Sequence, residues 1–176
     1  MANKEGYYMV FDVESMGLHG PAFAVGLVIL DAKTRKELAC RKWWVNPDNL
    51  RATVQNRKWV EEHCPWAHDL GGLESPKELR DAFWKYWTFW KAHGARLAAD
   101  VPWPVEANFL SACIADDPIK REWDGPYPLI DIASVRLAAG LDPLATEERI
   151  GEGELPAHDP EADARQSARL LLEALK

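Results

Sequence analysis

The chain has 176 residues, 47% hydrophobic, 28% charged and 10% aromatic, with a formal net charge of −7. That length suits one compact domain over residues 1–176, and the apolar fraction excludes wholesale disorder. No apolar run reaches bilayer-spanning length, and residues 1–6 lack the apolar core of a secretory signal, so a cytoplasmic protein with no membrane partner is expected. Residues 1–60 hold nine basic and six acidic side chains, a local +3, whereas residues 61–176 hold twelve and 22, a local −10. A passive basic coat for nucleic acid is thereby excluded, but an enzyme acting on nucleic acid is not. Cys40, Cys64 and Cys113 are odd in number and scattered, as expected of reduced thiols.

Residues 7–13 and 22–30 read as buried strands, rich in aromatic and β-branched side chains. Residues 37–45 continue as a third strand after a charged turn, which predicts an antiparallel meander. Residues 46–74 read as irregular. A helix is then well marked, with Ser75 as N-cap, Pro76 at the first position, Glu78 completing a capping box and Gly94 ending it. Its Leu79, Phe83, Trp87 and Trp90 recur at helical spacing, and core packing is preferred to base stacking for this face. Exposed aromatics over residues 84–90 would permit a homodimer. A short strand at 95–99, a helix from Pro104 to about Ala115, a strand at 129–131 leading into a helix capped by Gly140, and a last helix opened by Pro160 complete the order β-β-β-α-β-α-β-α-α. That order predicts an α/β fold, a mixed five-stranded sheet flanked by helices.

Asp12 and Glu14 stand two apart on the first strand, so their carboxylates share one face. Two acids side by side on an apolar strand repel and are costly to desolvate, and a hard divalent cation such as Mg²⁺ or Mn²⁺ removes both penalties. The competing reading is a pair of strand-end acids facing water. Near the other terminus His158 precedes a helix whose first turns hold Asp163. A histidine there is suited to taking a proton from water, and Asp163 to completing a metal site. Taken alone, each reads better as something ordinary, His158 as a loop residue and Asp163 as a helix-dipole partner.

Together these residues resemble the DnaQ-like 3′–5′ exonucleases of the RNase H-like fold. Asp12-Val13-Glu14-Ser15-Met16-Gly17-Leu18 matches the family's first motif, and His158 five residues before Asp163-Ala164 matches the third, in its histidine (DEDDh) subgroup. Leu129-Ile130-Asp131-Ile132-Ala133 looks like the family's mid-fold strand–helix junction, with Asp131 as a helix cap. The middle motif departs from the pattern. In the register set by Phe109-Leu110, Glu106 takes the acid position and Asp100 replaces a strand-end Asn, so Glu106 is preferred as third acid and Asp100 is its rival.

The resemblance implies two Mg²⁺ or Mn²⁺ ions held by Asp12, Glu14, Asp163 and the middle acid, with His158 as the base for an attacking water. It implies hydrolysis at the 3′ end of single-stranded DNA or RNA to nucleoside monophosphates. Ser15, Met16, Gly17 and Leu18 would then contact the terminal nucleotide, with Met16 or Leu18 wedged against its base. Lys33, Arg35, Lys36, Arg41, Lys42, Arg51, Arg57 and Lys58 are candidate phosphate contacts, or equally a solvated charged hairpin. His63-Cys64 with His68-Asp69 fits no zinc spacing. The altered middle motif leaves open a non-catalytic nucleic-acid-binding module that has kept the fold. A hydrolase of small phosphodiesters is the third reading.

Overall fold

The computed structural model describes residues 6–144 and 148–176. Strands β1 (Tyr7–Ser15), β2 (Ala22–Asp31) and β3 (Glu37–Trp44) form an antiparallel meander. β4 (Ala95–Ala99) and the two-residue β5 (Ile130–Asp131) add in parallel on the other edge of β1, giving the five-stranded order β3-β2-β1-β4-β5. The expected mixed sheet is observed.

Alternation along β1 assigns its two faces. Met9, Phe11 and Val13 enter one apolar cluster with Leu79, Phe83, Trp84 and Trp87 of α2 (Pro76–Ala92) and Phe109, Leu110 and Cys113 of α3 (Val105–Ala115). Tyr8 and Val10 enter a second cluster with Ile132 of α5 (Ile132–Ala138) and Ala168, Leu170 and Leu171 of α6 (Pro160–Ala174). Asp12 and Glu14 continue this second face beyond its apolar part, so both carboxylates fall at the strand's end beside the start of α6.

α2 is capped as its sequence predicts, Glu78 N–H donating to Ser75 Oγ at 3.2 Å. Trp84 and Trp87 are 6% and 2% exposed and so belong to the core, leaving Phe89 as the outward ring of the segment expected to offer a Trp-rich surface. Residues 46–74 are more ordered than expected. They contain a helix, α1 (Val54–His63), and two 3-10 turns, Pro47–Asn49 and Pro65–His68. Thr53 caps α1 by accepting from Asn56 N–H, but only Val60 of this helix is buried, so no apolar stripe announces it in the sequence. A short helix, Pro118–Arg121, is a further addition. Among the described residues no helix is long and apolar enough to cross a membrane.

α6 sits directly on the sheet. Gly26 is the β2 partner of Asp12, and a Cβ there would lie 2.1 Å from the Pro160 carbonyl carbon. Only glycine lets the helix N-terminus approach the acid-bearing strand so closely.

Candidate active site

The C-terminal ends of the parallel strands β1 and β4 and the N-terminal ends of α3 and α6 meet at one edge of the sheet. Asp12 and Glu14 arrive on β1. Asp159 caps α6 by accepting from Glu161 N–H at 3.0 Å and Ala162 N–H at 3.4 Å, which sets Asp163 in the first turn. The connection from β4 to α3 turns through Val101 at φ +44°, and Glu106 follows in the first turn of α3. Glu106 is 6% exposed, and its Oε1 accepts from Val13 N–H at 3.2 Å, which binds it to the strand carrying the other acids.

Asp12, Glu14, Glu106 and Asp163 therefore share one site, and each resists ionisation. Burial, then the charges of Glu14, Glu106 and Asp163, holds the Asp12 carboxyl well above its usual range. Burial, then Asp163 and Glu106, pushes Glu14 up to about 8. Burial, and to a lesser extent the charge of Asp100, raises Glu106 to about 7, against the hydrogen bond from Val13. Asp163 is raised by burial, against the opposing charge of Arg149. Asp100 is more remote from the strand acids: burial and then Asp131 raise it, and its charge acts on Glu106 but is not among those acting on Asp12 or Glu14. Asp131 caps α5, accepting from Ala133 N–H at 3.1 Å.

His158 adopts a left-handed φ of +62°, a conformation that histidine visits more readily than most side chains. Its N–H donates to Asp163 Oδ2 at 3.1 Å, and its carbonyl accepts from Trp66 Nε1 at 3.0 Å. Its Nδ1 is 4.0 Å from Glu14 Oε1. The ring stands edge-on to Trp59 and His63 of α1, at 4.8 and 5.5 Å between centroids. Burial lowers its pKa below 6.5, outweighing the attraction of Asp163 and leaving the imidazole neutral near pH 7.

One ligand atom each from Glu14, His158 and Asp163 lies within 4.8 Å of the others. Hard carboxylate oxygens crowded without matching positive charge are the donor set that Mg²⁺ and Mn²⁺ favour, so the residues fit the expected ions. Among the described residues the guanidinium beside these acids is that of Arg149, whose Nη2 lies 2.6 Å from Asp163 Oδ1.

A cavity of about 270 Å³ opens beside the acids, lined by Val13, Glu14, Ser15, Gly17, Leu18, Asn56, Trp59 and Val105. Leu18 is 66% exposed and projects here. Met16 corrects the expectation of a base wedge: its side chain is 1% exposed and packs in the core, while its carbonyl accepts from Asn56 Nδ2 at 2.9 Å. Gly17, at φ +89°, has no room for a Cβ, which would lie 2.3 Å from Asn56 Nδ2.

The basic residues do not form one patch. Lys33, Arg35 and Lys36 occupy the β2–β3 turn, at the opposite end of the sheet from Asp12 by strand register. Lys42 is at the site end but pairs with Asp159 at 2.6 Å and lies over the Trp66 ring. Arg51 lines a second cavity with Met16, Gly17 and Leu18. The His63–Cys64–His68–Asp69 segment is held otherwise, His63 Nδ1 by Trp59 O at 2.8 Å and His68 beside Asp48 at 3.4 Å. Arg149, Trp59, Asn56 and Trp66 are site residues that the sequence did not indicate. They come from segments without apolar periodicity or motif spacing.

No family profile matches the chain, and no curated relative matches it. Solved structures do. The zinc-bound complex of E. coli exonuclease I with single-stranded DNA matches with a TM-score of 0.64 at 12% identity, over 94% of this chain and 39% of that one. Exonuclease I from Methylocaldum szegediense gives 0.67 at 16% identity, over 97% and 41%. The nuclease domain of 3′hExo, a DEDDh family member bound to rAMP, gives 0.55 at 14% identity, over 97% and 92%. The chain spans about two fifths of the exonuclease I chains and nearly all of the 3′hExo domain. Strand order, helix placement and these likenesses agree: the chain has the RNase H-like fold of the DnaQ-like 3′–5′ exonucleases.

Proposed function

We propose that the protein is a DEDDh-type 3′–5′ exonuclease, dependent on Mg²⁺ or Mn²⁺, that releases nucleoside monophosphates from the 3′ end of single-stranded nucleic acid. The observation that carries this reading is the convergence of Asp12, Glu14, Glu106, Asp163 and His158 from three separate segments onto one end of the sheet beside an open cavity. The acids would hold two ions, with Glu106 rather than Asp100 as the middle ligand. When bound, such ions supply a water of lowered pKa and offset charge developing on the leaving oxygen.

The chain's own residues do the rest. His158, neutral at pH 7 and partly exposed, accepts the proton of the attacking water. Its backbone bond to Asp163 fixes the imidazole relative to the acids. Gly17 and the Met16 carbonyl, held by Asn56, shape the turn after β1 so that Leu18 faces the cavity, where it and Trp59 offer apolar surface to the terminal base. In the solved structures of similar fold the bound molecules are single-stranded DNA for E. coli exonuclease I and rAMP for 3′hExo. Both fit a cavity that takes a strand end.

The test uses single-stranded DNA and RNA oligomers labelled at either end, with Mn²⁺, Mg²⁺ or chelator. Mononucleotide release from the 3′ label alone, lost with chelator and in an Asp12→Ala, Glu14→Ala double variant, supports the reading. Degradation by the double variant at the wild-type rate overturns it. Oligonucleotide binding without cleavage or Mn²⁺ uptake would leave the non-catalytic module instead.

A further inference from the structure

Arg149 carries an inference that rests on the metal-dependent reading and concerns how the site is loaded. Its guanidinium reaches in from the loop before α6. Nη2 lies 2.6 Å from Asp163 Oδ1, and Nη1 donates to Glu154 O at 2.7 Å. The loop is built to hold it there. Glu154 is 6% exposed and accepts a two-pronged bond from Arg169 of α6, Nε at 2.8 Å and Nη2 at 3.1 Å, and its Oε2 also accepts from Ile150 N–H.

Asp163 Oδ2 accepts from the His158 N–H, while its buried Oδ1 has the Arg149 guanidinium beside it as an ion pair but accepts no hydrogen bond from the described residues. Arg149 is also the cation whose charge acts on Asp12, Glu14 and Asp163 together. A divalent ion bound to Asp163 would sit only a few ångströms from this guanidinium, and like charges at that range repel strongly in a half-buried site. The Arg149 side chain keeps 22% of its surface in solvent, so a path outward is open to it.

We propose that Arg149 is a resident counter-cation that competes with the metal for Asp163. It holds the acid cluster together in the metal-free protein and gives up Asp163 when an ion enters. The freed guanidinium is then left at the mouth of a site that receives a polyanion, where it contacts a phosphate of the strand. Metal loading is thereby disfavoured until nucleic acid offers Arg149 a second partner, which by reciprocity links the two binding events.

The experiment is calorimetric titration of Mn²⁺ into the full chain, wild type, Arg149→Gln and Arg149→Lys, with and without a nucleoside monophosphate. Arg149→Gln is expected to bind Mn²⁺ about 5- to 10-fold more tightly than wild type without nucleotide, and to gain less from added nucleotide. Arg149→Lys, which keeps the charge, should stay within about twofold of wild type. Weaker or unchanged Mn²⁺ binding by Arg149→Gln overturns the proposal and points to Arg149 as a support for Asp163. Absence of Mn²⁺ binding by wild type overturns the metal-dependent reading beneath it, so the two failures are distinguishable. Should Arg149→Gln fail to fold, a Mg²⁺ titration of wild-type protein labelled with ¹⁵N-arginine decides. Release of one guanidinium from slow exchange supports the proposal, and an unchanged spectrum at saturating Mg²⁺ overturns it.

Discussion

The N–H of His158 donates to Asp163 Oδ2 at 3.1 Å, while the same residue's carbonyl accepts from Trp66 Nε1. These two bonds hold the candidate base at φ +62°, a backbone conformation outside the regions most side chains favour. The five-residue spacing between His158 and Asp163 therefore has a structural meaning: the loop residue folds back onto the first turn of the helix it precedes. His158→Asn should keep this backbone, since Asn also tolerates the left-handed region, and should melt close to wild type. Its hydrolysis of a labelled oligomer should slow by about 10²- to 10⁴-fold, the range for a lost general base. Unchanged turnover would remove His158 from the mechanism.

The acid cluster predicts an unusual pH dependence of stability. Burial raises Glu14 from 4.5 to about 8 and Glu106 from 4.5 to about 7. Each binds its proton more tightly in the folded chain than in the unfolded one. The stability from that protonation is complete below about pH 4.5 and is lost as pH rises through 7 and then 8. Between pH 5.5 and 8.5, metal-free protein should thus show a falling Tm. Saturating Mn²⁺ should restore most of the loss at pH 8.5, because an ion that binds only the folded state stabilises it. A metal-free Tm that is flat or rising over this range would contradict the crowding of these carboxyls.

Glu106 and Asp100 are separable by charge removal. Glu106→Gln keeps an oxygen able to accept from Val13 N–H but removes one charge from the group acting on Asp12. Its Mn²⁺ affinity should fall by at least about tenfold. Asp100→Asn should leave that affinity within about twofold of wild type, because the charge of Asp100 is not among those acting on Asp12, Glu14 or Asp163 and of the site acids reaches only Glu106. The reverse ranking in a calorimetric titration would return the third position to Asp100.

Gly26→Ala tests the close seat of α6. The new Cβ would lie 2.1 to 2.3 Å from backbone atoms of Pro160 and Glu161, so the helix must move away from β1. Overpacking of this kind costs about 1–3 kcal/mol in chemical denaturation, and displacing Asp163 from Asp12 should reduce metal affinity as well. Full stability with full Mn²⁺ affinity would show that the helix has slack here.

What the sequence disclosed follows from which residues speak locally. Asp12 and Glu14 announce a shared face through strand periodicity, and Ser75, Pro76 and Glu78 announce a helix start through capping chemistry. The sheet with its meander was legible for the same reason, since β1 and β2 are nearly continuous apolar runs. α1 was not legible, because its contacts are tertiary: Val60 alone is buried, and Trp59 and Asn56 matter through His158 and Met16, distant in sequence. The resemblance offers Met16 and Leu18 alike as a wedge, yet the turn at Gly17 leaves Leu18 exposed and sends the Met16 side chain to the core. Arg149 gave no signal at all, its partner lying across a loop held by Glu154 and Arg169.

The central claim, that acids from both ends of the chain form one cation site, is tested most directly by anomalous diffraction from crystals grown with Mn²⁺ and a nucleoside monophosphate. The account predicts manganese peaks within coordination distance of the Asp12, Glu14 and Asp163 carboxylates, with the phosphate beside them. Crystals with the nucleotide bound and no manganese signal between those three residues would contradict it.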